Sequence, residues 1–193
     1  MSRYDKSRLP AYPLVLEKSA LRQRLSDVSG SSEEDIATHS ARIVSLSPSF
    51  SHSIRMRDHG VESNCFCYAL GIPYPKFHSL EGPGLSFIGD YLKSDALMKA
   101  LLEIGWETKR DGDIVLYFKN RIPSHAGLIE SESVVSKWGK YPVYEHQIHE
   151  VPLSYGEMAG IYRKLSPSSS FELFMDFFTT HPLSSAATEL LMD

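Results

Sequence analysis

Three apolar runs set close together constrain this chain's fold more than any other feature. Gly112-Asp113-Ile114-Val115-Leu116-Tyr117-Phe118 and Ser124-His125-Ala126-Gly127-Leu128-Ile129-Glu130 read as two successive strands. Both are rich in the β-branched and aromatic side chains that suit a pleated surface. Val134-Val135-Ser136-Lys137-Trp138 follows, with Glu130-Ser131-Glu132-Ser133 as the turn. Side chains alternate with a period of two, so this hairpin sets His125 opposite Trp138 and turns Ser136 to the same face; a one-residue slip would substitute Lys137. Val143 to Ile148 and His149 to Val151, separated from Trp138 by Gly139 and Pro142, extend a small antiparallel sheet.

The two cysteines fall in Asn64-Cys65-Phe66-Cys67-Tyr68-Ala69-Leu70-Gly71, which reads as a short helix. Asn64 is a favoured N-cap, Gly71 suits the left-handed C-terminal position, and Pro73 forbids continuation. Cys65 then sits in the first turn, where the helix dipole and unpaired N–H groups favour a thiolate, the reactive form of cysteine. The same N–H groups are placed to receive an oxyanion, with Asn64 either assisting them or acting only as the cap. Cys67 points about 200° around the helix from Cys65 and reads as a packing residue.

In order and spacing these residues resemble the papain-like cysteine hydrolases of the NlpC type and the related CHAP amidases. In those proteins a cysteine opens a helix, a Gly-Asp-hydrophobic strand follows, and a further strand begins His-small-Gly-aliphatic. Cys65 with Tyr68 three residues on corresponds to the helix start, Gly112-Asp113-Ile114-Val115 to the first strand, and His125-Ala126-Gly127-Leu128-Ile129 to the second. The likeness covers roughly residues 60 to 150. Asn64 stands where NlpC-type enzymes commonly carry Asp, so their substrate details do not carry over.

The resemblance implies an α+β papain-like fold, with the cysteine at a helix N-terminus packed on a small antiparallel sheet and helical extensions at both ends. It implies a thiol hydrolase that opens an amide bond. Cys65 would attack the carbonyl carbon, while His125 would hold the thiolate as an ion pair and protonate the leaving amine. Ser136 takes the position of the third, polar residue that orients the imidazole, with His146 as the competing candidate. Asn64 and Trp138 are candidates for oxyanion and substrate contacts, Trp138 as cleft wall or core. The expected substrate is a peptide or other amide, with a peptidoglycan peptide suggested by the likeness, and no cofactor or metal is expected. A secreted effector with an unidentified immunity or secretion partner also fits. The alternatives are an intracellular cysteine protease or deamidase, and an inactive papain-like binding module. A rival metal site would use Cys65, Cys67, His125 and one of His146 or His149, but zinc sites usually leave about two to four residues between paired cysteines.

Composition narrows the partners. The chain has 193 residues, a net charge of −4 and a pI near 6.1, which argues against nucleic acid as the main partner. No apolar run is long enough for a signal peptide or a membrane span. Cysteines one residue apart would make a strained disulfide, so synthesis in a reducing cytoplasm is expected, and export without a cleavable signal remains compatible.

The expected organisation is an N-terminal helical and loop extension over 1–59, the hydrolase domain over 60–165 and a helical tail over 166–193. Leu14 to Leu25 has helical spacing, and Ser29 to Glu34 reads as linker or as the cap of another short helix. Gly71 to Gly89 reads as loop. Asp90 to Ile104 is predicted as a helix capped at Ser94-Asp95, with Leu92, Leu97, Leu101 and Ile104 on one face and Gly105 ending it. A further helix is predicted over Tyr155 to Leu165, broken by Ser166 to Ser170, then helices in Phe171 to Phe178 and Ala186 to Met192. No internal repeat and no phosphate-cradling loop is present.

Overall fold

The computed structural model describes residues 10–17, 19–29, 36–46, 54–58, 63–72, 91, 94–139 and 141–180. It is a mixed α+β fold built on one antiparallel sheet. The strands are β1 (Leu14–Val15), β2 (Arg55–Asp58), β3 (Glu103–Ile104), β4 (Ile114–Lys119), β5 (Ile122–Glu130), β6 (Ser133–Lys137), β7 (Val143–His146) and β8 (Met158–Tyr162). Their order is β1-β8-β4-β5-β6-β7-β2, with β3 also paired to β8.

Helices cover both faces. On one lie α3 (Cys65–Leu70), α4 (Asp95–Ala100) and α5 (Pro167–Thr180), which bury Phe66, Cys67, Leu70, Leu97, Phe174 and Phe178 against Ile114, Leu116, Phe118 and Ala126. The other carries α1 (Ser19–Ser29) and α2 (Ile36–Leu46), whose Leu21, Leu25 and Ile43 meet Val115, Tyr117, Ile129, Val134 and Trp138. Being covered on both sides, β4 is buried from Ile114 to Phe118, which is why it reads as an unbroken apolar run.

The hairpin register follows the sequence. Glu130 pairs with Ser133 and Leu128 with Val135, and continuing that register sets His125 opposite Trp138. Tyr117 pairs with His125 on the other side. Asp113 is buried, and its carboxylate accepts from Arg110 N at 2.8 Å and from Arg163 Nη1 at 2.9 and 3.0 Å. The Gly-Asp start of this strand is thus a structural carboxylate tying a turn to the end of β8.

Several elements differ from the sequence reading. Tyr155 to Leu165 is not a helix; its centre is β8, paired with β4 through Leu116↔Gly160 and Tyr117↔Ala159. Burial on both faces of the sheet overrides the local spacing there. The helix expected to Ile104 is only α4, capped by Ser94 as anticipated, and Leu101 turns extended so that Glu103 and Ile104 pair with β8. Leu14 to Leu25 divides into β1 and α1. The serine run after Leu165 starts α5 instead of breaking a helix, since Ser166 Oγ accepts from Ser169 N at 3.1 Å and Pro167 occupies the first helical position. His149 to Val151 is a turn, and α2 is the short helix that one of the two readings of Ser29 to Glu34 allowed, residues 30–35 lying outside the described residues. Most of the Gly71 to Gly89 loop, Leu92 and the Ala186 to Met192 helix lie outside the described residues. The first 59 residues supply β1 and β2 to the sheet, and α5 joins its core. Among the described residues no helix is long and apolar enough to cross a membrane.

Candidate functional site

Asn64 and Gly71 bound α3 as their residue types predict. Asn64 is extended, and its Oδ1 accepts from Phe66 N at 3.0 Å and Cys67 N at 2.8 Å. Gly71 is left-handed at φ 68°. The Asn64 carboxamide oxygen is therefore committed to the cap, and its side chain also bonds the Cys67 thiol.

This places Cys65 at the point where the β5–β6 ladder opens. The pairing reaches Leu128↔Val135, and two residues before Leu128 the freed N–H of Ala126 is directed at the Cys65 sulfur. The N–H groups of Cys65 and Phe66 and the charge of Lys137 also favour a thiolate there. Burial opposes them and prevails, raising the Cys65 thiol to about 11. The helix-start effect is present but outweighed, so Cys65 rests as a thiol. Cys67 is buried, and its thiol is raised to about 12 by burial and then by the Cys65 charge.

Lys137 stands on the same sheet face as Cys65, because the register extended from Leu128↔Val135 sets it opposite Ala126. It is 5% exposed, and its ammonium donates to Gly139 O at 2.8 Å and to Tyr141 O. Burial lowers its pKa, and the Cys65 charge works against that.

His125 points to the opposite face, with Tyr117, Gly127 and Trp138. Its ring stacks on Tyr155 with centroids 3.9 Å apart and lies 5.5 Å from Tyr117. It is buried, and Nε2 has no hydrogen-bond partner among the described residues. Burial, then the nearby His146 charge, holds its pKa well below the usual histidine range, so the ring is neutral. No hydrogen bond joins Cys65 to His125 among the described residues. Tyr155 links the two sides: its ring covers His125, and burial followed by the Cys65 charge raises its hydroxyl.

Ser136 bonds to His146 instead of His125. Its Oγ lies 2.8 Å from His146 Nε2 and accepts from Trp138 Nε1 at 2.9 Å, while His146 Nδ1 lies 2.8 Å from Gln147 O. The two candidates for the third residue thus form one buried chain. Trp138 is fully buried and packs on Tyr144, His146 and Tyr155, which makes it core and not cleft wall.

The residues that hold Tyr155 were not singled out in the sequence. The one hydroxyl hydrogen of Ser124 is shared between Tyr155 O and Tyr117 O, and buried Arg22 donates to Val151 O and Gly156 O. Arg22 lies between Leu21 and Leu25 and reads as an exposed charge. Only the neighbouring Tyr155-Gly156 pair hints at a fixed turn. Gly156 has φ 120°, and a Cβ there would fall 2.1 Å from Phe118 O, so nothing larger fits.

On the Cys65 side, Arg57, Asp58, Tyr68, Glu130, Val135 and Val143 line a cleft of about 190 Å³. Tyr68, one helical turn after Cys65, leads from the sulfur towards it. Arg57 spans Glu145 at 2.8 Å and Glu130 at 3.3 Å.

No family model, curated protein or solved structure matches this chain. The donor set for metal is also poor. Cys67 faces the helical layer away from His146, His149 Nδ1 accepts from Glu17 N at 3.1 Å, and no group of three or more His, Cys, Asp or Glu among the described residues is arranged to hold an ion.

Proposed function

We propose that this protein is a thiol hydrolase of papain-like, NlpC-type architecture that opens an amide bond through Cys65. The observation that carries this reading is the setting of the Cys65 sulfur. It lies at the start of α3 on the sheet, against the N–H groups of Ala126 and Cys65, while Phe66 N–H, which also favours the thiolate, is bonded to the Asn64 cap. Groups that favour a thiolate also favour the oxyanion that forms on an attacked carbonyl.

In this mechanism the resting pair is a neutral thiol and a neutral imidazole, not a preformed ion pair. The neutral His125 ring takes the thiol proton on its unprotonated nitrogen once it reaches the sulfur around the open end of the β5–β6 ladder. The thiolate attacks the carbonyl carbon, the C–N bond breaks as His125 returns the proton to the amine, and water hydrolyses the thioester. The cleft beside Tyr68 is a route for an extended peptide. Chain order supports a peptidoglycan peptide, hydrolysed by an amidase or a secreted effector, with an intracellular protein substrate as the alternative.

A second reading, an inactive papain-like binding module, is favoured by the burial of His125 and its separation from Cys65 by the plane of the sheet. Incubation with purified muropeptides, followed by mass spectrometry for a new amine and carboxylate, distinguishes the two. Cleavage that disappears in Cys65→Ala supports the hydrolase. Muropeptide binding without cleavage by the wild type, unchanged in Cys65→Ala, supports the module.

A further inference from the structure

We propose that the connection between β7 and β8, residues 147–157, is an autoinhibitory strap latched by α1, which keeps His125 from Cys65 until it is released. The strap crosses the face of the sheet on which His125 lies. Tyr155 stacks on the His125 ring with centroids 3.9 Å apart, and Ile148 and Val151 are buried in the same core as Tyr117 and Trp138. Its own backbone bonds close turns: Glu150 N donates to Gln147 O, Tyr155 N to Pro152 O and Gly156 N to Leu153 O. Side chains tie it to the sheet, Tyr117 Oη donating to Ile148 O at 3.2 Å and Ser124 Oγ to Tyr155 O. Segments held by single bonds instead of a ladder open at lower cost than the sheet beneath them.

The latch is α1 and the turn that leads into it. Buried Arg22 donates to Val151 O at 3.2 Å and to Gly156 O, the carbonyl that follows Tyr155. Ser26 Oγ accepts from Ser154 N at 2.9 Å, and Glu17 N donates to His149 Nδ1 at 3.1 Å. These bonds run the length of the strap from one short stretch of chain, so α1 holds or releases it as a unit. The outer turn, Leu153 and Ser154, is exposed, which lets the strap lift outward. Its closed position is also incompletely satisfied. Under Tyr155, His125 Nε2 has no hydrogen-bond partner among the described residues, and opening returns that nitrogen to water, offsetting part of the cost.

The strap's part in turnover rests on the hydrolase reading, but its opening does not and is measured without substrate. The probe is diethylpyrocarbonate, which modifies neutral imidazoles, with the sites read by mass spectrometry in wild type, Arg22→Met and Ser26→Ala. Arg22→Met keeps an apolar stem in the core and removes both carbonyl bonds. It should speed modification of His125 roughly tenfold to hundredfold, the value of a hydrogen bond to a charged group, with a smaller rise in Ser26→Ala. His39, buried on α2, should keep its wild-type rate, since it reports opening of the helical layer as a whole. With muropeptides, kcat should rise in Arg22→Met although its Tm falls, a combination that a merely structural arginine would not produce. If Arg22→Met does not fold, hydrogen exchange of the wild type decides. The Ser154, Tyr155 and Gly156 amides should then exchange through an opening that leaves Val115 and Tyr117 on β4 protected. An unchanged His125 rate in folded variants, an equal rise at His39, or strap amides that exchange only together with β4 overturns the proposal. So does a kcat that falls with Tm, which leaves the hydrolase reading standing. Faster modification of His125 without hydrolysis by any variant overturns the hydrolase reading instead and leaves the latched strap.

Discussion

Ser136 donates its hydroxyl hydrogen to Nε2 of His146 across 2.8 Å, and the direction of that bond is fixed from both ends. Gln147 O can only accept, so His146 Nδ1 carries the ring hydrogen and Nε2 of the neutral ring is left as acceptor. Trp138 Nε1 can only donate, so it takes a lone pair of Ser136 Oγ. Ser136 has one hydrogen and has spent it on His146, which leaves none for His125.

Ser136→Ala should therefore act mainly on stability. It strands the Trp138 N–H and the His146 Nε2 in the core, at about 1–3 kcal/mol for each unpaired group. Urea unfolding should show the loss, while turnover per folded molecule falls far less than in Cys65→Ala. Unchanged stability with a large loss of turnover would return Ser136 to the catalytic group.

The buried histidines should make the fold acid-sensitive. Burial lowers His146 from 6.5 to about 4, and His125 shifts the same way. A group held neutral in the fold takes up its proton on unfolding. Its contribution is whole above about pH 6.5 and is lost as pH falls towards 4, at about 1.4 kcal/mol per pH unit for each proton. Unfolding midpoints at pH 7, 6 and 5 should fall accordingly. His146→Gln should start lower at pH 7 and fall less steeply, and an equal slope would show that His146 is not the group responsible.

The cysteines should behave differently from one another and from free thiols. With its thiol at about 11, Cys65 should alkylate slowly at pH 7, and the rate should rise about tenfold per pH unit towards pH 10. A rate that is flat between pH 6 and 8 would mean the low-pKa ion pair exists after all. Cys65→Ala should abolish hydrolysis and leave the fold intact. Cys67→Ala should cost about 1–2 kcal/mol through a small cavity in the core and keep turnover.

The local elements that sequence reading recovered are those that carry their own signals. Asn64 and Gly71 bound α3, Ser94 caps α4, and the alternation across Glu130 to Ser133 gave the β5–β6 register. Missed were elements fixed by distant partners. β8 is a strand because β4 lies beside it, and Glu103-Ile104 is one because β8 does. The same limit applies to the site. Periodicity puts Ser136, Trp138 and His125 on one face, but nothing local to Cys65 shows that α3 packs on the opposite one. Nor does it show that burial outweighs the helix N-terminus at the sulfur. Lys137 entered the sequence reading only as the outcome of a register slip, yet in the correct register it is the residue facing Cys65's side.

Gly156 offers a direct test of how the Tyr155 platform is held. Two effects oppose a side chain there: the left-handed φ of 120° and a Cβ that would meet Phe118 O at 2.1 Å. Gly139, at φ 58° with nothing within 4 Å of its Cβ position, has a positive φ without the clash, and a φ that other residues tolerate better than the φ 120°, ψ 175° of Gly156. Gly139→Ala should cost about 1–2 kcal/mol, the strain of a left-handed residue. Gly156→Ala should cost clearly more, upwards of about 3 kcal/mol, because the backbone must move away from β4. That movement withdraws the carbonyl bonded to Arg22 and shifts the ring stacked on His125. Thermal unfolding of both variants measures the difference, and the His125 ring resonances should shift in Gly156→Ala but not in Gly139→Ala. Equal destabilisation with unshifted His125 resonances would mean that the turn yields without disturbing Tyr155, and that Gly156 does not hold the platform.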